Sequence, residues 1–373
     1  IAMGQGDKKQ AEKIVSNSFT MLLLFSVVLT IVFYAAAPTL LRLFGASDTT
    51  LPYALTYSRI YILGTICVLI VLGMNTFITA QGFAKISMLT TVIGAVINIV
   101  LDPILIFGLG MGVKGAAIAT VLARVAEMGI VVIWAHACRK KHVFLQGIYR
   151  TFRVPKQLAQ KVVRKGLPIF FNEFLWAGGI AALTQCYSTR GLEIVAGLNI
   201  SNALCNLLNV VFVALGSAVG ILIGQTLGAS MYKKAKKDAF HLMWFTGAIS
   251  LGLTVILVCV SGVFPKLYDT TAQVQQYGQW FIVITALFFP VQGFLNALYF
   301  TLRSGGKTLV TFLFDSVYTW LIPVPMALLL CHLTALPILA VYAIVQAADL
   351  IKVLVGYVLI RRGVWISNLV EEV

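Results

Sequence analysis

Asn98 and Asp102 stand four residues apart in an otherwise apolar run, and Pro103 follows at once. On a helix that spacing puts the amide and the carboxylate on one face. Proline has no N–H, so the carbonyl of Ile99 loses its ordinary helical donor one turn from Asp102. Thr120, in the next apolar run, falls at a similar depth once the spans are laid out. A carboxylate, an amide oxygen, a hydroxyl and a freed carbonyl at one level suit Na⁺, or a proton carried on Asp102. The competing reading is a polar cluster that only holds helices together.

An ionisable group inside an apolar span costs about 2.5–3.5 kcal/mol on insertion scales, so each one needs a role. Arg124 and Glu127 are three apart and can pair on one helix face. Asp349 and Lys352 repeat the spacing, and both pairs are read as structural neutralisation. Glu173 has no cation on its own helix, which makes it a candidate to hold a proton or to meet a cationic substrate. Asp315 is of the same kind, nearer the end of its run. Asn199, Asn202, Asn206 and Asn209 form one helical stripe that faces the bundle or a cavity rather than lipid. Interhelical hydrogen bonding and cavity lining both fit that stripe. Gln292 and Asn296, with Pro290, make a second polar face. Phe171, Trp176, Phe212, Phe288, Phe289, Tyr299 and Phe300 offer rings to a flat cation, though core or lipid contact is the ordinary role for most.

These residues sit in a chain built for a bilayer. Hydrophobic residues make up 60% of the 373 and charged residues 11%, too few to cover a water-facing surface. Mean hydropathy is +0.93. Apolar runs of the roughly 20 residues that cross a membrane recur along the chain, and only helices satisfy their backbone there; the alternation of a barrel strand is not seen. The net charge of +15 lies in the short connections, where topology signals belong, so nucleic acid is not a partner. The six cysteines are scattered without a CxxC pair and read as small buried hydrophobes. The four histidines stand singly, no metal-ligand spacing or Walker A run occurs, and the chain is read as no enzyme, with no resident cofactor.

Ten spans are predicted: 14–37, 54–80, 86–108, 115–137, 166–189, 196–224, 238–262, 275–301, 308–331 and 336–360. Alternate connections carry twenty-one Lys and Arg against four on the other side, which places both ends and the basic stretch 138–165 in the cytoplasm. An internal repeat follows. Gly4 and Ala11 match Gly228 and Ala235 at an offset of 224; Thr79 and Lys85 match Thr301 and Lys307 at 222. Asp102-Pro103 aligns with Val324-Pro325, and Glu127 with Asp349. Equivalent loops fall on one side, so the halves are parallel repeats, one of the common transporter plans. The expected architecture is an all-α polytopic membrane protein with two helical lobes: a partial N-lobe over 1–137 with four spans, a basic linker over 138–165, and a six-span C-lobe over 166–373. The repeat also leads us to expect about 60 residues, the first two helices of a 6+6 plan, ahead of Ile1.

The run Asn98-Ile-Val-Leu-Asp102-Pro103-Ile-Leu-Ile-Phe-Gly-Leu-Gly-Met-Gly112-Val-Lys-Gly115-Ala-Ala-Ile-Ala-Thr120 resembles the signature of the multidrug and toxic compound extrusion (MATE) family. Gly4-Gln-Gly-Asp-Lys-Lys-Gln-Ala11, Gly166-Leu-Pro168 and Leu302-Arg-Ser-Gly-Gly306-Lys-Thr are similar to that family's loops, and the likeness covers the whole chain. The resemblance implies twelve helices in two six-helix lobes, alternating access, and export of cationic amphiphiles driven by inward Na⁺ or H⁺. It implies that Asn98, Asp102 and Thr120 match positions that bind the coupling cation in some members, and that Glu173 matches an acidic residue of the seventh family helix. The first-helix Asp of that cation site would lie ahead of Ile1. The tenth-helix Asp of some Na⁺-coupled members has no counterpart around Gln292 and Asn296.

Together these readings point to a secondary antiporter of organic cations, a monomer in the cell membrane, whose partners are small cationic substrates and lipid. One rival is a flippase of lipid-linked saccharides from the same superfamily, which needs basic residues in its cavity to hold pyrophosphate. Another is a membrane-embedded transferase, which needs Asp or His clustered at a membrane face.

Overall fold

The computed structural model of the protein describes residues 1–43, 47–137 and 155–366, and within these every regular element is helical. Helix α1 is Lys8–Leu43, α2 Leu51–Leu63, α3 Thr65–Ala80, α4 Ala84–Pro103 and α5 Gly112–Ala137. Helix α6 is Lys156–Ser188, α7 Leu192–Gly228, α8 Tyr232–Ser261 and α9 Ala272–Ser304. The short helices α10 Thr308–Phe312, α11 Tyr318–Leu321 and α12 Pro323–Leu333 make one interrupted span, and α13 Ile338–Ala347 with α14 Asp349–Arg362 make another. Among the described residues nine spans are long and apolar enough to cross a membrane, and the bent pair α2–α3 supplies a tenth. The ten-span reading stands.

Each break has a local cause. Gly64 separates α2 from α3, which are bent by 50°. Pro103 ends α4, and the chain continues as one wide π turn over Ile104–Gly108, which absorbs the missing donor. A second π turn, Leu313–Val317, joins α10 to α11, and Pro323 then restarts the helix as α12. At the joint between α13 and α14 the Tyr318 hydroxyl donates to the Ala348 carbonyl at 2.6 Å. A side-chain donor thus serves a backbone acceptor where the ladder is disturbed, as lipid requires.

Two compact units result: Asp7–Leu158, and Ile1–Gly6 together with Ala159–Val373. The division falls inside the stretch 138–165 expected as a linker; its residues 138–154 lie outside the described residues, and from Lys156 the chain is already helix. The first six residues, expected with the N-lobe, pack instead on the C-terminal unit. Gly4 lies against the Gln225 carbonyl and Gly228 against the Ile1 carbonyl, with no room for a Cβ at either. The two contacts are reciprocal, because Gly4 and Gly228, and likewise Ile1 and Gln225, are repeat partners 224 apart.

In the first unit the core joins Val15 and Phe19 of α1, Ile70, Met74 and Ile78 of α3, and Val131 and Ala135 of α5. These are one-turn spacings, each helix offering a single stripe. In the second, α9 is the central post against α7 and α8. Lipid gives helices no hydrophobic reason to associate, so close packing at small residues holds them. Gly197 of α7 meets Tyr277 and Gly278, Gly293 of α9 meets Ser250 of α8, and Gly216 of α7 lies beneath Phe300 and Asn296. The surface left over is apolar: Ile31, Phe107, Ile133, Phe170 and Leu207 are each more than 60% exposed, a face that suits acyl chains and not water.

Candidate functional site

Along α4, Thr90, Gly94, Asn98 and Asp102 follow one another at four-residue steps on a single face. Glu127 of α5, 1% exposed, packs onto the gap at Gly94, where a Cβ would come 3.0 Å from its Oε2. Arg124 Nη1 donates to that same Oε2 at 2.5 Å, so this ion pair is made as its spacing suggested. Among the described residues of this unit, three buried polar atoms have no hydrogen-bond partner: Asn98 Nδ2, Asp102 Oδ1 and Glu127 Oε1. A buried carboxylate oxygen without a donor is costly, and a cation or a proton would satisfy it. Thr120 does not turn its proton toward Asp102; its hydroxyl donates to the Ala116 carbonyl of its own helix at 2.9 Å. Only its lone pairs remain to offer a cation.

The second unit gathers a longer polar chain within its spans. Lys352 Nζ donates to Asp315 Oδ1 at 2.6 Å, and both side chains are largely buried. The spacing had paired Lys352 with Asp349, one turn back on the same helix. The tertiary fold brings Asp315 of the π turn in front of it instead, and Asp349 Oδ2 accepts from Gln292 Nε2 at 2.7 Å. The expected Asp349–Lys352 pair is therefore replaced by a pair between spans. Lys352 also lies over the rings of Phe314 and Tyr318, which suits a cation with few water contacts. Asn172, 2% exposed, donates to Asp315 Oδ2 at 3.0 Å and accepts from the Ser316 hydroxyl at 2.8 Å.

Glu173 joins that cluster at its edge, through the Tyr299 hydroxyl, which accepts from Asn172 Nδ2 at 3.3 Å. It is 59% exposed, accepts from the Tyr299 hydroxyl at 3.3 Å, and lies 3.9 Å from Arg303 at the end of α9. The cation missing from its own helix comes from another. Asn199, Asn202, Asn206 and Asn209 are exposed, and the single hydrogen bond among them runs from Asn209 to Asn206 within α7. Among the described residues, no amide of the stripe bonds to a neighbouring helix of this unit. Asn296 Oδ1 is buried and unpartnered above Gly216. Phe212 and Phe289 pack in the core with centroids 5.1 Å apart, and Tyr299 and Phe300 already face the Arg303 guanidinium. Of the ring candidates, Phe171 and Trp176 are exposed. Sequence reasoning missed Asn172 and Arg303. Asn172 carried a usable signal, an amide within an apolar run beside Glu173; Arg303 counted only as a loop charge.

Among the described residues no three His, Cys, Asp or Glu side chains gather to hold a metal ion.

The MatE family profile matches residues 1–104 and 168–329. The chain belongs to the MatE family. The matched segments contain Asn98, Asp102, Glu173 and Asp315, whereas Thr120, Arg124, Glu127, Asp349 and Lys352 lie outside them. Among MatE-like relatives, the probable multidrug resistance protein YoeA of Bacillus subtilis (strain 168) is 24% identical over 360 residues, covering 95% of this chain and 78% of that one. The multidrug export protein MepA of Staphylococcus haemolyticus is 24% identical over 314 residues, covering 83% and 68%. The fold is similar to that of an outward-facing multidrug resistance MATE transporter of the MOP superfamily, with a TM-score of 0.90, 22% identity, and 98% and 82% of the two chains covered. A MOP superfamily transporter from Pyrococcus furiosus, described as having a binding pocket of reverse polarity, gives the same TM-score and identity over 97% and 80%. The family membership and the helical multi-span fold agree.

Proposed function

We propose that the protein is a secondary antiporter of the cell membrane that exports organic cations in exchange for Na⁺ or H⁺, by alternating access, with both ends of the chain in the cytoplasm. The observation that carries the reading is a mismatch of charge. Asp102 presents a buried carboxylate oxygen that no described residue satisfies, while the three basic groups that fall within the expected spans are engaged. Lys352 is held by Asp315, Arg124 by Glu127, and Arg59 lies over the Tyr34 ring at 5.5 Å. A site with a spare anion takes cations. A flippase of pyrophosphate-linked saccharides would need the opposite, a spare cation. The names of the relatives, a probable multidrug resistance protein and a multidrug export protein, agree with the export of drugs. The inward ion supplies the driving force by neutralising Asp102, and a cationic drug leaves from the wall lined by exposed amides and by Glu173.

Everted vesicles carrying the full protein, an imposed Na⁺ or H⁺ gradient and a fluorescent cationic dye test this. Asp102→Asn should insert normally and lose gradient-driven dye movement. Wild-type rates in that variant would overturn the assignment of Asp102. Dye movement that stays absent in the parent under both gradients, with lipid-linked saccharide translocated instead, would favour the flippase.

A further inference from the structure

In the second unit, Asp315, Asp349 and Lys352 form a buried group with two acids and one base. Lys352 gives its hydrogen bond to Asp315, and among the described residues the side chain that donates to Asp349 is the neutral Gln292 amide. Asp349 is the twelfth residue of the 25-residue span Ile338–Arg362, so it lies at mid-depth, where an unbalanced charge is least tolerated. The Tyr318 phenol, which donates to the Ala348 carbonyl beside Asp349, brings no positive charge. The Glu173–Arg303 pair nearby is neutral in sum, so the group as a whole keeps one excess negative charge.

The repeat shows how the imbalance arose. Asp349 corresponds to Glu127, which is neutralised by Arg124 on its own helix. The counterpart of Arg124 is Gln346, which carries no charge and donates to the Tyr342 hydroxyl at 3.1 Å. The counterpart of Asp315 is Ile93. Compared with the first half, the second has Gln346 in place of Arg124, and it adds an acid, Asp315 for Ile93, together with a lysine, Lys352 for Ile130; these two pair with each other, so Asp349 has no base of its own.

We infer that Asp349 binds one monovalent cation, a proton or Na⁺, so that the Asp315–Lys352–Asp349 group is neutral within the membrane. This site is separate from Asp102, and it does not depend on what the protein exports.

The test uses the purified full chain carrying Asp102→Asn, so that no signal comes from the first unit's carboxylate. The protonated-carboxyl infrared band, identified by its shift in heavy water, and bound radioactive Na⁺ are measured on the same preparation. Relative to this parent, Asp349→Asn should lose one protonated carboxyl or one bound Na⁺, and which of the two is lost names the cation. Asp315→Asn should lose the same one equivalent, because it also leaves one acid to one lysine; it serves as well should Asp349→Asn fold poorly. Lys352→Met, with two acids and no base, should gain one further equivalent. An unchanged band and unchanged Na⁺ binding in both asparagine variants would overturn the inference, as would no gain in Lys352→Met.

Discussion

Glu127 and Glu173 are both carboxylates within spans, yet their surroundings are opposite. Glu127 is 1% exposed and bound to Arg124, so its charge stabilises the unit while that guanidinium, one third exposed, is only partly in water. Glu127→Gln should therefore lower stability by about 1–3 kcal/mol, the discounted loss of a partly buried pair. A fall in folded yield and melting temperature in detergent measures it; an unchanged melting temperature with transport abolished would make Glu127 a working residue instead. Glu173 is mostly exposed, and its ion pair with Arg303 at 3.9 Å contributes about 0–1 kcal/mol. Glu173→Gln should leave melting unchanged and alter dye export or its pH dependence in everted vesicles.

At the scale of elements, glycine positions decide how near the helices lie. A Cβ on Gly197 of α7 would meet Tyr277 Cβ at 2.7 Å and the Gly278 nitrogen at 3.0 Å, and backbone does not move aside. Gly197→Ala should push α7 from α9 and cost about 1–3 kcal/mol. Gly252 of α8 has nothing within 4 Å of its would-be Cβ, and it is exposed. Gly252→Ala should be neutral or stabilising by up to about 1 kcal/mol, from helix propensity alone. Thermal unfolding of the two variants in one detergent gives the contrast, and equal melting temperatures would mean that close approach at Gly197 does not hold α7 to α9.

For the whole molecule, the exposed apolar surface is a statement about solvent. Cys259 of α8 is exposed among Val255, Ile256 and Val258, themselves 62%, 51% and 41% exposed. In a soluble protein that thiol would react at once. Facing acyl chains it stays a thiol, and a charged maleimide does not reach it. In proteoliposomes Cys259 should thus remain unlabelled, as should the buried Cys186, Cys205 and Cys331, and all should label after denaturation in dodecyl sulfate. Rapid labelling of Cys259 in intact proteoliposomes would put water, not lipid, on that face of α8.

The spans were legible because a bilayer obliges each crossing segment to satisfy its own backbone, so length and hydropathy along one stretch suffice. That is why ten runs read from the sequence reappear as α1 to α14, with Pro103 at the end of α4 and Pro323 at the start of α12 marking breaks, whereas Pro38, Pro168 and Pro290 sit inside continuous helices. The Arg124–Glu127 pair was legible for the same reason, being three residues apart on one helix. Lys352 had an equally near acid in Asp349, and there local spacing misled. Its partner is Asp315, 37 residues away, because packing of α14 against the π turn places that carboxylate 2.6 Å from the ammonium. Nor did spacing reveal that the Asp102 oxygen stays unsatisfied, that Thr120 turns back on its own helix, or that Arg303 reaches Glu173. Periodicity fixes which side of a helix a residue occupies; which helix lies opposite, and how close, follows from the glycines and π turns that set the packing, and so from the tertiary structure alone.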